Sequence, residues 1–299
     1  MPRPRAASTA LIALALLALL AACRDDDEAA VAPSTTATTA ASSSTMSTSA
    51  PATTDPAPTT TTTAPALARP DWLGTRPLPL RPDGFGEVQP TPPELVDRRL
   101  PTVDFLPPPP DDSFVSAVVE VPPDVVARST WEPACPVTLE ELRYVTAAFW
   151  GFDDRPHTGE LLVNASAADD IVEVFRQLHD ARFPIEEMRI TRADELDLHP
   201  TGDGNDTGAF VCRPSRGSTS WSQHAYGLAV DVNPFHNPYT RDDLVLPELA
   251  SAYVDRAHER PGMIRPGDVV VSVFASIGWE WGGDWSRPVD LMHFSANGR

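Results

Sequence analysis

From Asp25 to about Ala68 the chain is acidic and then almost entirely Thr, Ala, Ser and Pro, too poor in apolar surface to offset the entropy of ordering it. Any core that the 299-residue chain builds must come from the rest. The 33 prolines restrict that rest further, because proline lacks a backbone donor and is excluded from helix interiors and central strands. Residues 70–134 are proline-punctuated, with Pro107–Pro110 as the densest run and only short apolar pieces such as Phe114–Val119. They read as an extended, partly ordered arm, with simple disorder as the alternative over Asp71–Asp112. Hydrophobic periodicity begins only at Thr138, so the folded domain is expected over 135–299.

All 23 basic residues are Arg, and the net charge is −19. Phosphate contacts need clustered cations, so no nucleic-acid partner is expected. Arg3 and Arg5 precede an apolar run, Ala10–Ala22, that is short for a bilayer span and suits a secretion signal. Leu20-Ala21-Ala22-Cys23 resembles the lipobox of bacterial lipoproteins. That resemblance implies a signal peptide over 1–23 and lipidation of Cys23, which would anchor the chain on the outer face of the cell membrane, facing the wall. Residues 24–69 then form a tether with a reach of about 35–40 Å as a flexible coil. In that oxidising setting Cys135 and Cys212 are expected to pair, two free buried thiols being the alternative. The chain is expected to be a monomer.

Thr138 and Glu141 form a capping-box pattern before Leu139, Leu142, Val145 and Phe149, which predicts a helix to about Trp150. A strand at Glu160–Val163 follows, then a helix capped at Ser166 with Ile171, Val174, Phe175 and Leu178 on one face. Strands are expected at Ile185–Ile190, Ala209–Arg213, Leu228–Asn233, Trp279–Trp281 and Leu291–Ser295, with a helix over Val269–Ile277 starting at Asp268. Thr191–Thr207 is polar and glycine-bearing, a loop suited to lining a site. Mixed elements without regular βαβ alternation predict an α+β fold, a small mainly antiparallel sheet flanked by helices.

Two fragments carry the chemistry: Ser222-Gln223-His224-Ala225-Tyr226-Gly227-Leu228-Ala229-Val230-Asp231 and Asp290-Leu291-Met292-His293-Phe294. Two histidines and an aspartate are ligands of the kind a catalytic zinc takes while leaving a position for water. Strand alternation puts Leu228, Val230 and Val232 on one face and Asp231 on the other. Seven extended residues would span roughly 23 Å, so His224 and Asp231 share a metal only if the chain folds back, and Gly227 is the residue that permits it. Asp290 is expected in the turn after Pro288, with His293 in the strand proper, so that the carboxylate takes the proton of the water and returns it to the leaving amine. His157, His179, His199, His236 and His258 read as surface or loop residues, His236 being the best candidate for an exception.

Ser222-x-His224-x-x-Gly227-x-Ala229-x-Asp231 with Asp290-x-x-His293-Phe294 resembles the zinc peptidases that include D-alanyl-D-alanine carboxypeptidases and L-alanyl-D-glutamate endopeptidases, which share a fold with the hedgehog signalling domain. The resemblance runs from about Cys135 to Ser295. It implies one Zn2+ held by His224, Asp231 and His293, Asp290 as general base and acid, and peptidoglycan peptides as partners. It also implies an upstream arginine that helps hold substrate or oxyanion, for which Arg213 fits best and Arg216 competes. Ser222 and Gln223 are expected to touch substrate. Trp279-Glu280-Trp281-Gly282-Gly283-Asp284-Trp285 resembles the endopeptidase-like branch, its glycines admitting substrate backbone and Trp281 or Trp285 forming a wall, with core packing an equal explanation for at least one of the tryptophans. Asp290 before Met-His-Phe points to the same branch, since carboxypeptidases carry Glu before Trp-His. The expected activity is hydrolysis of an amide in peptidoglycan stem peptides; the alternatives are a D-alanyl-D-alanine carboxypeptidase and a non-catalytic zinc module that binds wall peptides.

Overall fold

The computed structural model describes residues 67–215 and 218–299. The signal peptide, Cys23, nearly all of the tether and Arg216 lie outside the described residues. Through the rest run β1 (Ser116–Val119), α1 (Pro123–Arg128), β2 (Leu142–Trp150), β3 (Pro156–Asn164), α2 (Ala168–Asp180), β4 (Glu187–Met188), β5 (Asp206–Thr207) and β6 (Ala229–Asp231). They are followed by β7 (Tyr239–Arg241), β8 (Leu244–Leu246), α3 (Val269–Ser276), β9 (Glu280–Trp281), β10 (Val289–Asp290) and β11 (His293–Ser295). The α+β class stands, but the strands form several small sheets. Three are antiparallel, ordered β1-β2-β3, β10-β7-β8 and β6-β11-β9, and β4-β5 is a short parallel pair.

The helix expected from Thr138 is a strand. Glu141 does accept from the Thr138 backbone N–H at 2.8 Å, yet it caps only a 3-10 turn at Leu139–Glu141 before the chain extends into β2. Tyr144, Val145, Thr146, Phe149 and Trp150 are β-branched or aromatic, residues that suit a pleated surface. Period two explains their burial: Val145, Ala147 and Phe149 join the main core, whereas Leu142 and Tyr144 pack on the opposite side. The Leu142/Val145/Phe149 spacing only imitated a helix. Ser166 bonds Asn164 and does not cap α2, whose N-cap is Ala167. The Ile185–Ile190 strand shrinks to β4. Residues 209–213 form no strand, although Phe210 N–H bonds the Leu162 carbonyl. In α3, by contrast, Asp268 caps as expected, accepting from Val271 N–H at 3.1 Å.

The main core lies between α2, α3, β2, β3 and the sheet of β6, β9 and β11. Ile171, Val174, Phe175 and Leu178 of α2 are all buried in it, with Val230 of β6 and Phe294 of β11. Phe294 stacks on Phe274 of α3 with ring centroids 4.1 Å apart. The disulfide Cys135–Cys212, with a Cα separation of 5.7 Å, ties the start of the domain to the segment leading toward Trp221. In the chain-entropy picture a closure of this length stabilises by about 4–5 kcal/mol.

The proline-rich arm is packed. Leu78, Leu95 and Leu100 are buried with Phe235, Leu249, Ala250 and Tyr253 in a second core. Arg98 anchors it, bonding both oxygens of buried Glu186 at 2.7 Å and the Asp203 carbonyl at 2.7 Å. Although burial opposes it, Arg98 holds the Glu186 carboxyl below its ordinary range. Removing one partner of such a pair costs roughly 3–5 kcal/mol.

Three histidines read as surface residues are buried. His157 sits between Asp104 and Asp153, His179 packs by Phe114 and Trp150, and His236 lies between Asn205 and the Arg98 carbonyl. His199 and His258 are exposed. Burial pushes His236 down to about 4, so the unfolded chain binds the extra proton as pH falls. The stabilisation is full above about pH 6.5 and is lost toward pH 4, amounting to roughly 3 kcal/mol. Urea unfolding of wild type and His236→Gln at pH 7 and pH 4 should show that excess loss in wild type only; equal losses would contradict it.

Candidate metal centre

Two short elements and one register bring the chemistry together. Ser222 starts a 3-10 turn, Gln223–Tyr226, with its side chain accepting from His224 N–H at 3.4 Å. Gly227 ends the turn with φ +66°, and a Cβ there would sit 2.6 Å from the Asn164 backbone nitrogen. The chain therefore turns back in a conformation, and at a closeness to β3, that only glycine tolerates. Asn164 N–H bonds the Gly227 carbonyl at 2.8 Å and fixes the approach. β6 then pairs with β11 so that His293 faces Asp231 while Phe294 faces Val230. Paired residues share a face, so the Phe294–Val230 pair enters the core and the His293–Asp231 pair meets the cleft.

His224 Nε2 lies 3.2 Å from Asp231 Oδ2 and 3.3 Å from His293 Nδ1, and His293 Nδ1 lies 3.0 Å from Asp231 Oδ1. A tetrahedral zinc with bonds of about 2.0 Å has ligand–ligand edges of about 3.3 Å. The two Asp231 distances run to different carboxylate oxygens; with one donor atom from each residue the three lie within 4.8 Å of one another, close enough to converge on one metal ion. Among the described residues this trio is the one His/Cys/Asp/Glu cluster whose donor atoms all lie within 4.8 Å. The remaining imidazole nitrogens are also committed: His224 Nδ1–H donates to the Ala209 carbonyl at 2.5 Å, and His293 Nε2–H to the Arg299 carbonyl at 3.2 Å. Those bonds select the tautomers that leave a lone pair on the converging nitrogens. Burial alone would raise the Asp231 carboxyl, but the two imidazoles hold it far below its usual range. His224 is raised in turn, because Asp231 outweighs its burial.

Asp290 is at the end of β10, in the sheet with β7 and β8, and the turn follows it at 291–292. The turn expected after Pro288 is displaced by the pairing of Val289 and Asp290 with Thr240 and Tyr239. Asp290 still lines the cleft that the trio lines. Its Oδ1 is buried without a hydrogen-bond partner, and burial, aided by the Asp231 charge, pushes the carboxyl up to about 7. An unpartnered carboxyl oxygen beside convergent donors is suited to accept a proton from water.

The cleft, about 760 Å³, is also lined by Arg213, Ser222, Gln223 and Trp285. Trp285 tilts against His293 at 5.4 Å between centroids. Trp281 is elsewhere: it is buried in the core, its Nε1–H donating to the Leu291 carbonyl at 2.9 Å. Its large apolar ring is worth more in the core than on a wall. The glycines also serve packing, since a Cβ on Gly282 would meet the Asp290 carbonyl at 2.6 Å and one on Gly283 would enter the Trp281 ring. Pro200, Gly202 and Gly204 from the polar loop do reach the cleft, as do Phe85, Tyr239, Arg241 and Glu248, none of which was singled out from the sequence. The Asn237-Pro238-Tyr239 segment six residues beyond Asp231 was the available signal for Tyr239.

The family described as D-alanyl-D-alanine carboxypeptidase matches residues 216–296. The match covers less than half of the chain but includes His224, Asp231, Asp290 and His293, and it supports a peptidase acting on cell-wall peptides. Neither the curated proteins nor the solved structures gave a match.

Gly227→Ala should cost roughly 2 kcal/mol or more from the left-handed backbone and the clash with β3, and should weaken metal binding with it. Thermal unfolding and metal titration of the variant would show both effects; unchanged metal affinity would contradict the fold-back as the device that presents His224.

Proposed function

We propose that this protein is an extracytoplasmic zinc peptidase that hydrolyses an amide in peptidoglycan stem peptides, held to the membrane through a lipidated Cys23. The observation that carries the reading is the convergence of His224, Asp231 and His293 beside the unpartnered Oδ1 of Asp290. Bound to the trio, a zinc ion would supply carbonyl polarisation and acidify water. Asp290 accepts the proton of the attacking water at Oδ1 and returns it to the leaving amine. Arg213 lines the same cleft and offers a cation where negative charge develops on the carbonyl oxygen, a contribution of about 3 kcal/mol for a well-placed donor. Trp285 flanks His293, and Ser222 and Gln223 border the approach to His224.

The Asp290-x-x-His293-Phe294 form supports an endopeptidase-like cut within the stem. The description of the matched family favours a second reading, removal of a terminal D-alanine. Mass analysis of digested muropeptides separates them, since scission within the stem and loss of one alanine leave different fragments.

Asp290→Ala should bind one zinc per chain as wild type does and lose turnover by at least about a thousandfold, the scale expected for a general base acting on otherwise poorly activated water. A chelator should abolish wild-type turnover and added zinc restore it. Substantial activity in Asp290→Ala would remove Asp290 from the role of base, and chelator-resistant activity would remove the metal.

A further inference from the structure

We infer that Glu248 forms a subsite for a primary ammonium group on the substrate, an inference that rests on the peptidase reading and adds to it the charge of the substrate. Glu248 is only 5% exposed, yet it lines the cleft shared by the metal trio and Asp290. Its carboxylate receives a hydrogen bond from Gly86 N–H at 2.8 Å, and no ion pair reaches it from the described residues. A buried carboxylate is costly unless a cation accompanies it. Glu186, another deeply buried glutamate facing the arm, has Arg98 on both its oxygens. Glu248 has the cleft in that place.

The described residues around Glu248 hold it by hydrogen bonds and not by a salt bridge. The arm turns at Arg81–Phe85, closed by the bond from Arg81 N–H to the Phe85 carbonyl, and Gly86 follows immediately. A Cβ on Gly86 would lie 2.9 Å from Glu248 Oε1, so glycine lets the backbone N–H approach the carboxylate without displacing it. Arg81 binds Asp243 in the β7–β8 turn and fixes the hairpin over this end of the cleft. Gln89 N–H bonds the Glu248 carbonyl at 3.2 Å and holds its backbone. Phe85, Leu246 and Pro247 give the subsite apolar walls, suited to the methylenes of an aminoalkyl side chain.

The sheet sets the distance. Asp290 pairs with Tyr239, and Tyr239 with Leu246; at about 4.8 Å per strand that spans about 10 Å, and Glu248 lies two residues beyond. An extended peptide advances about 3.3–3.6 Å per residue. The ammonium would therefore be carried about three to five extended residues from the scissile bond on a free amino terminus, or fewer where a long side chain covers part of the span.

The test uses the zinc-loaded chain and two probes, the tripeptide Ala-γ-D-Glu-Lys and its form acetylated at both the α- and the ε-amine, with binding measured by calorimetry so that the readout does not depend on turnover. Wild type should bind the free amine about tenfold or more tighter than the acetylated peptide, and Glu248→Gln should reduce that ratio to about one. Arg81→Ala, which loosens the hairpin and keeps the carboxylate, should retain the preference and so separates loss of charge from loss of the arm. Equal binding of both probes by wild type, or a preference that survives in Glu248→Gln, would overturn the ammonium subsite. A preference without hydrolysis of any muropeptide would leave the subsite standing and overturn the peptidase reading.

Discussion

The pairing of β6 with β11 is the interaction on which the rest depends. Along two adjacent three-residue strands, alternation sends Val230 and Phe294 inward and Asp231 and His293 outward. The stack of Phe294 on Phe274 and the burial of Val230 therefore fix the positions of two side chains of the candidate metal trio. A slip of one residue would exchange the faces, placing an imidazole and a carboxylate in the core and a phenyl ring in the cleft. The hydrophobic effect thereby enforces the register that the chemistry needs. His224 joins from outside this pair, which is why its position rests on the left-handed Gly227, packed where a side chain would not fit, and on the Ala209 carbonyl.

Around this centre the chain places its charges unevenly. Three donors converge within 4.8 Å, a carboxyl with an unpartnered oxygen stands beside them, and Arg213, Arg241 and Arg299 line the same cleft. The proline-rich arm supplies another part of that cleft. Its backbone is pinned by Arg98 to Glu186 and by Gly86 to Glu248, and its leucines complete a core with Phe235 and Tyr253. Proline suits such an arm, because a segment that lies across other elements needs little internal hydrogen bonding, and a fixed φ lowers the entropy lost on ordering.

The site was more legible in the sequence than the fold around it. His224, Asp231, Asp290 and His293 sit in short fragments whose spacing constrains geometry, and Gly227 was identifiable because seven residues cannot otherwise return to one ion. The Thr138–Trp150 segment misled because a genuine capping interaction, Glu141 to Thr138, closes one turn and then gives way to a strand that nine residues of β3 pairing stabilise. Of the two candidate tryptophans Trp285 reaches the cleft and Trp281 packs in the core, a choice the sequence leaves open because a tryptophan beside glycines serves packing as readily as binding; the glycines accommodate Asp290 and Trp281 themselves. Phe85 and Glu248 carried no local signal, since their place in the cleft arises from contacts across 162 positions of sequence between the arm and the segment after β8. The buried histidines were invisible for the same reason: their partners Asp104, Asn205 and Arg98 come from distant segments.

The central claim is that His224, Asp231 and His293 hold one zinc ion. X-ray absorption at the zinc edge on the metal-loaded chain tests it most directly, read together with Asp231→Asn and His293→Ala. The account predicts one zinc per chain, with nitrogen and oxygen ligands at about 2.0–2.1 Å, no sulfur ligand, and loss of stoichiometric zinc in His293→Ala. Sulfur in the zinc shell, or full retention of zinc in His293→Ala, would contradict it.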